Sequence, residues 1–317
     1  MVAERKLSRT APSMPRVAAI DCGTNSIRLL IADVDGSSFR EITREMEIVR
    51  LGQGVDKNKA FHPDAIKRTL DATEKYSREI SRRGVEKIRF CATSATRDAA
   101  NRDLFIDGVN SILGIKPEVI SGEEEAALSF MGATREFQGR SAPYLVIDIG
   151  GGSTEFVFGS EKVEAAKSQN IGCVRMSERH FSAIPPHPEE IERAIANIDE
   201  AIRGAAASVP IGDAQSIIAV AGTATTVAAA ALDLDSYDRY AIHLAHIRSE
   251  KAHEISERFL SMSRDEIAAL PYMHPGRVDV IGAGSLVLSR ILKYANASEF
   301  IASESDILDG MAWSLAH

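Results

Sequence analysis

Apolar positions along this chain fall into short runs that alternate with stretches of helical spacing. Residues 17–32 read VAAIDCGTNSIRLLIA and residues 144–158 read YLVIDIGGGSTEFVF. Each is an apolar strand ending in Asp, then x-Gly-x-x-Ser, then a second apolar strand. Superimposing Asp21 on Asp148 puts Gly23 on Gly150 and Ser26 on Ser153. Both units predict a β-hairpin with a glycine-bearing turn, glycine serving where φ is positive or where a ligand approaches the backbone. Between them, residues 88–92 (IRFCA) predict a buried strand. Residues 64–82 place Ile66, Leu70, Thr73 and Ile80 near helical spacing, with Pro63 suited to a first turn. A short strand ends at Val119-Ile120 and SGEEEAALSFMGA opens a helix. Farther on, 188–206 predicts a helix, 217–221 a strand, GTATTVAAAAL a helix, and 278–294 a strand (VDVIG) running into a helix (SLVLSRIL). Alternating strands and helices predict an α/β fold in each half. The expected division is a tail over 1–15, a first domain over 16–140 and a second over 141–317. The junction falls near 139–143, and a closing helix from about 305 packs back on the first domain.

Composition agrees with two domains, because 317 residues exceed the roughly 250–300 at which single cores stop growing. A net charge of -8 argues against nucleic acid and against anionic membrane surfaces as partners. A polyanionic substrate would have to find local positive contacts. The cysteines Cys22, Cys91 and Cys173 form no CxxC pair, so neither a disulfide framework nor a zinc site is expected, and a reducing cytoplasm is. The apolar runs are strand-sized, far short of a membrane span, and the first residues lack the apolar core of a secretory signal.

The turns carry the first candidate chemistry. Gly150, Gly151, Gly152, Ser153 and Thr154 offer successive backbone N–H groups and two hydroxyls, an anion cradle; Gly23, Thr24, Asn25 and Ser26 offer another. One such turn is as easily a tight hairpin. Two aligned copies, each preceded by an aspartate, favour phosphate. No GxxxxGK[ST] loop is present, and Gly282-Ala-Gly284 lacks the third glycine of a dinucleotide fingerprint. Asp21 and Asp148 at the mouths of anion cradles call for a cation between carboxylate and phosphate. Mg²⁺ suits that role and Glu155 is a third candidate ligand, the alternative being turn-capping aspartates. In Ser121-Gly-Glu-Glu-Glu-Ala126, Ser121 and Glu124 have capping-box spacing and Glu123 suits the helix dipole. Glu125 is left to orient and deprotonate a water, unless it too is a dipole partner. Arg97, after a strand end and beside Thr93 and Ser94, is either a solvated surface charge or a phosphate clamp.

Taken together, AAIDCGTNSIRLLIA, ATSATRDAANRD, VISGEEEA, LVIDIGGGSTEFVFG, NIGCVRMSE, AVAGTATT and GRVDVIGAGSLVL resemble the Ppx/GppA phosphatase family, in its short two-domain form, over nearly the whole chain from Arg16. The resemblance implies two actin-like ATPase (ribonuclease H-like) domains with an interdomain cleft, and a homodimer. It implies Mg²⁺- or Mn²⁺-dependent hydrolysis of a terminal phosphoryl group from inorganic polyphosphate or guanosine pentaphosphate (pppGpp). It puts the catalytic glutamate on Glu125, the phosphate loops on the two turns, the metal-side acids on Asp148 and Glu155, and the family's arginine on Arg97. The family's first loop usually reads D-x-G-S-N-S; Thr24 stands in the serine's place and keeps the hydroxyl.

The expected reaction is in-line attack of water on a terminal phosphorus, with positioning and electrostatics supplying most of the rate. A kinase built on AGTATT and GAGS, or a regulator that binds the alarmone without cleaving it, are the rivals. Lys57, Lys59, Arg102, Arg175 and Arg179 are the cations a polyphosphate groove would draw on, while an aromatic content of 6% leaves little for a guanine pocket.

Overall fold

The computed structural model describes residues 14–137 and 141–316. Nearly all of the expected tail, and residues 138–140 at the expected junction, lie outside the described residues.

Two sheets organise the chain. The first holds β1 (Arg16–Cys22), β2 (Ser26–Val34), β3 (Phe39–Ile48), β4 (Lys87–Ala92) and β5 (Glu118–Val119), in the order β3-β2-β1-β4-β5. The pairs β1–β2 and β2–β3 are antiparallel, and β4 and β5 follow parallel to β1. The second contains β6 (Tyr144–Ile149), β7 (Thr154–Gly159), β8 (Val163–Gln169), β9 (Ser216–Val220), β10 (Ala245–Arg248) and β11 (Glu299–Ala302). Its order, β10-β11-β9-β6-β7-β8, repeats the first in β8-β7-β6-β9-β11 and adds an antiparallel edge strand. Each sheet has the ribonuclease H-like arrangement of an actin-like domain. The two sequence-matched hairpins are thus the equivalent β1–β2 and β6–β7.

Both faces of these hairpins are covered, which is why their strands read as continuous apolar runs. Along β1, Ala18, Ile20 and Cys22 join one core with Tyr76, Phe90 and Phe105. Val17 and Ala19 point the other way, against Ile307, Leu308 and Met311. Along β6, Leu145, Ile147 and Ile149 face the larger core of the second domain, while Tyr144 and Val146 meet Ala126, Phe130 and Ala133.

The last contact involves a crossing. The helix Gly122–Thr134 follows β5 of the first sheet but packs on β6, β7 and β8 of the second. The helix Ile307–Ser314 follows β11 of the second sheet but packs on β1 and β2, and the two helices lie against each other. The floor between the domains is therefore made of two helices, each reaching across from the other side.

One expected element differs. Residues 278–282 form no strand: a 3-10 turn, Pro275–Arg277, leads into the helix Ile281–Tyr294. Val278 and Ile281 are buried while Asp279, Val280 and Gly282 are partly exposed, and five residues are too few to separate strand from helix by periodicity. Among the described residues no helix is long and apolar enough to cross a membrane.

Candidate functional site

The two matched turns meet across the domains and are closed alike, Gly23 N donating to Ser26 O and Gly150 N to Ser153 O, each at 3.0 Å. None of their glycines has positive φ. What requires glycine in the second turn is space. A Cβ on Gly152 would sit 2.6 Å from Ser94 Oγ and 2.7 Å from Thr24 Oγ1, and one on Gly151 would sit 2.8 Å from Thr24 Cβ. The turns border a cleft of about 380 Å³. Of the residues chosen from sequence, Asp21, Gly23, Thr24, Asn25, Ser26, Glu125, Asp148, Gly150, Gly151, Gly152 and Ser153 line it, while Arg97, Thr154 and Glu155 do not. Thr154 begins β7 with its hydroxyl donated to Ile171 O at 3.0 Å.

Glu125 reaches the cleft because Ser121 caps its helix, accepting from Glu124 N at 3.2 Å. The other half of the expected capping box is not formed: the Glu124 carboxylate takes Arg89, at 2.6 Å, a charge partner stronger than its own helix end. Arg97 lies behind Glu125 and donates to its Oε2 at 2.8 Å and to Ile120 O at 2.9 Å. It orients Glu125 and ties it to the strand end. Burial pushes the Glu125 carboxyl up to about 7; Arg97 opposes this, and the charges of Asp148 and Asp21 reinforce it.

Register decides what each aspartate faces. Asp21 pairs with Arg28 across β1–β2, and Asp148 pairs with Glu155 across β6–β7. Arg28 donates to Asp21 Oδ2 at 2.7 Å and also pairs with Asp306. Asp148 and Glu155 instead accept from the hydroxyls of Ser129, at 2.7 Å, and Ser168, at 2.6 Å. Burial, with the charges of Asp306 and Asp21, lifts Asp148 to about 6. Burial, with Glu125 and Asp148, lifts Glu155 well above the ordinary carboxylate range. Asp21 is raised by burial, with Arg28 working against it.

Asp21 Oδ1, Thr24 Oγ1 and Glu155 Oε2 are buried without a hydrogen-bond partner. Among the described residues no three His, Cys, Asp or Glu side chains form a ready metal cage. Mutually repelling buried carboxylates with spare acceptor oxygens fit a hard cation held by one or two of them, by water and by phosphate oxygens.

The cleft's cations are not the ones chosen from sequence. Arg28, Arg44, Arg239 and Arg277 line it, whereas Lys57, Lys59, Arg102, Arg175 and Arg179 do not. Arg44 is bound to Asp309 at 2.6 Å and Arg239 to Glu41 at 2.6 Å. Arg277 donates to Thr226 Oγ1 at 2.9 Å and stands 5.7 Å from the ring of Tyr237, which also lines the cleft. Arg28 carried a usable signal, since superimposing the hairpins puts it on Glu155. Arg277 stands at the start of the GRVDVIGAGSLVL run, while Tyr237 and Asp306 are brought in by distant segments that no local pattern marks.

The profile of the Ppx/GppA phosphatase family matches residues 30–317. Exopolyphosphatase 2 of Mycobacterium tuberculosis is 44% identical, over 96% of this chain and 99% of that protein. The crystal structure of an exopolyphosphatase-like protein superimposes with a TM-score of 0.91 at 42% identity, over 95% of this chain and 98% of its own. A guanosine-5'-triphosphate,3'-diphosphate pyrophosphatase of Vibrio atlanticus is 38% identical over 53% of this chain and 34% of its own length.

Proposed function

The chain belongs to the Ppx/GppA phosphatase family, and we propose that it is an exopolyphosphatase, removing the terminal phosphate of inorganic polyphosphate with water activated by Glu125. The observation that carries this reading is Glu125 itself: a buried carboxylate, held by Arg97, lining a cleft bordered by two glycine-and-hydroxyl turns. With its carboxyl pushed to about 7, it is partly ionised near neutrality, where proton acceptance from water is most effective. The turn N–H groups and the hydroxyls of Thr24, Ser26 and Ser153 receive the terminal phosphate oxygens and fix the phosphorus opposite Glu125. Arg28, which lines the cleft, is shared between Asp21 and Asp306 and offsets part of their charge beside the first turn. Arg97 keeps one Glu125 oxygen occupied, so the other is directed at the attacking water. Mg²⁺ or Mn²⁺ beside Asp148 and Glu155 would neutralise those carboxylates and the phosphate oxygens they face. Exopolyphosphatase 2 of Mycobacterium tuberculosis, nearly the same length, supports the choice of substrate.

A second reading, pppGpp 5'-phosphohydrolase, is favoured by one feature. The cleft continues past the turns to Tyr237, Arg277 and Met46, an aromatic, cationic and soft apolar lining that suits a base.

The deciding experiment measures phosphate release from short-chain polyphosphate, long-chain polyphosphate and pppGpp, with and without Mg²⁺, in the wild type and Glu125→Gln. Metal-dependent release fastest on polyphosphate is expected. The variant should lose about 10²–10⁴-fold in kcat with substrate affinity retained. Release from the nucleotide alone selects the second reading. Silence on all three with binding intact makes the protein a sensor, and near-wild-type turnover in the variant removes Glu125 from the role.

A further inference from the structure

Arg175 was a sequence candidate for a polyphosphate groove, but its side chain is turned away from the cleft and buried, 7% exposed. It belongs to the helix Cys173–His180, directly behind the second turn. Its Nε donates to Gly152 O at 2.6 Å. The rest of the guanidinium crosses to the first domain, pairing with Asp56, with Asp98 at 2.5 Å, and reaching Ser94 Oγ at 3.3 Å. Ser94 and Asp98 begin and end one short helix, Ser94–Asp98, and that helix also carries Arg97, which holds Glu125. The backbone fastens the same helix to the second turn: Cys173 N and Val174 N donate to Gly150 O and Gly151 O, each at 2.9 Å.

We propose that Arg175 is a positioning residue that sets the placement of the Ser94–Asp98 helix, and through its Arg97 the aim of the Glu125 carboxylate, against the second turn. It acts through Gly152 on one side and through the Ser94–Asp98 helix and Arg97 on the other. Its planar fork supplies five N–H groups, enough to serve both domains at once; a lysine's single ammonium cannot hold the same spread of partners. The Glu125 helix packs on the second sheet, but the Glu125 carboxylate is held by Arg97 of the Ser94–Asp98 helix, so its aim at the second turn depends on how that helix is placed against the turn. A displacement of about 1 Å between attacking water and phosphorus costs on the order of 10²-fold in rate. Ground-state affinity depends on the turn N–H groups and is much less sensitive to where Glu125 stands.

The proposal rests on the hydrolase reading for its rate measurement only. The experiment compares Arg175→Gln, Arg175→Lys, Asp98→Asn and Asp279→Asn with wild type. Asp279 is the control, since its ion pair with Arg50, at 2.7 Å, also bridges the domains, while Arg50 meets the first turn only through its backbone N on Asn25 O, a bond the substitution leaves in place. Arg175→Gln should lower kcat on short-chain polyphosphate about 10²-fold while KM changes less than about threefold. Arg175→Lys should fail to restore it, Asp98→Asn should lower kcat in the same direction, and Asp279→Asn should stay within about twofold. Hydrogen exchange, read in the same proteins without substrate, should quicken in both 150–153 and 94–98 for Arg175→Gln and Asp98→Asn. A loss confined to KM would make Arg175 a phosphate ligand and overturn the proposal. So would an equal loss in Asp279→Asn, or faster exchange in one segment alone. If Arg175→Gln does not fold, Asp98→Asn decides by the same readouts. If the wild type releases no phosphate, the hydrolase reading fails and exchange still decides the role of Arg175.

Discussion

The hairpins β1–β2 and β6–β7 share topology, turn length and the hydrogen bond that closes the turn, yet they have opposite electrostatics. The first sets Arg28 opposite its aspartate and the second sets Glu155 there. Arg28 pairs with both Asp21 and Asp306, one positive charge shared by two carboxylates, whose remaining charge is felt at Asp148 and Glu125. The second hairpin concentrates Asp148, Glu155 and the incoming Glu125 in one buried place, where Asp148 raises the proton affinity of Glu125 and both raise that of Glu155. The shared part is the proposed anion cradle, and the differing position separates the two hairpins. The first is tied to Asp306 through Arg28, and the second is where the proposed cation would sit.

This contrast predicts opposite responses to neutralising the odd residue of each hairpin. Arg28→Gln has the larger effect. It leaves two buried carboxylates without their countercharge, and removing one partner of such a group costs about 3–5 kcal/mol. Denaturant unfolding near neutral pH should show that loss. A change below about 1 kcal/mol would mean that Asp21 and Asp306 are solvated or protonated already, and the two hairpins would not differ as argued.

Glu155→Gln should do the reverse in metal-free protein. The folded-state carboxyl of Glu155 is raised above its ordinary value of 4.5, burial being the main cause and Glu125 and Asp148 the next. The folded protein therefore binds this proton more tightly than the unfolded chain does. Stability associated with it is present below about 4.5 and lost as pH rises through the folded value. Removing the charge should raise the midpoint of thermal unfolding at pH 8 in EDTA, leave it nearly unchanged at pH 4, and raise the Mg²⁺ concentration needed for activity. Loss of stability at both pH values would show that Glu155 is satisfied as an anion, and the case for a cation beside it would fall.

The parts of this site legible in the sequence were those that repeat or sit at a chain punctuation. The turns repeat; Ser121 starts a helix; Asp21 and Asp148 end strands. From these the α/β class, the hairpins and eleven cleft-lining residues could be read. What stayed hidden depends on which way a side chain leaves its element or on segments joined only by folding. Arg97, a solvated surface charge or a phosphate clamp by sequence, donates to Glu125, and Arg175, a groove cation by sequence, donates to Gly152 O; neither lines the cleft. The run 278–282 is too short a span to separate a strand from a helix start. Tyr237 reaches the cleft from a segment with no pattern of its own, and Arg277 from the start of GRVDVIGAGSLVL, where nothing marks which way it points.

The smallest expected effect tests the hairpin equivalence at a residue where composition misleads. Thr154 follows Ser153 and looks like a second phosphate hydroxyl. Yet the superposition that matches Ser26 with Ser153 also matches Ile27 with Thr154, and Ile27 is fully buried. Thr154 occupies that inward position, with its hydroxyl given to Ile171 O. Thr154→Val keeps the shape and removes one buried hydrogen bond, leaving the Ile171 carbonyl to lose a donor. The cost should be about 1 kcal/mol in unfolding free energy. The KM for polyphosphate should stay within about twofold of wild type, because the phosphate meets Ser153 and the glycine N–H groups instead. Thr24→Val, whose hydroxyl lacks any protein partner and lies at the cleft, should weaken substrate binding while hardly changing stability. If the two variants exchanged these effects, Thr154 would face the phosphate, and the equivalence of the hairpins would end at their turns.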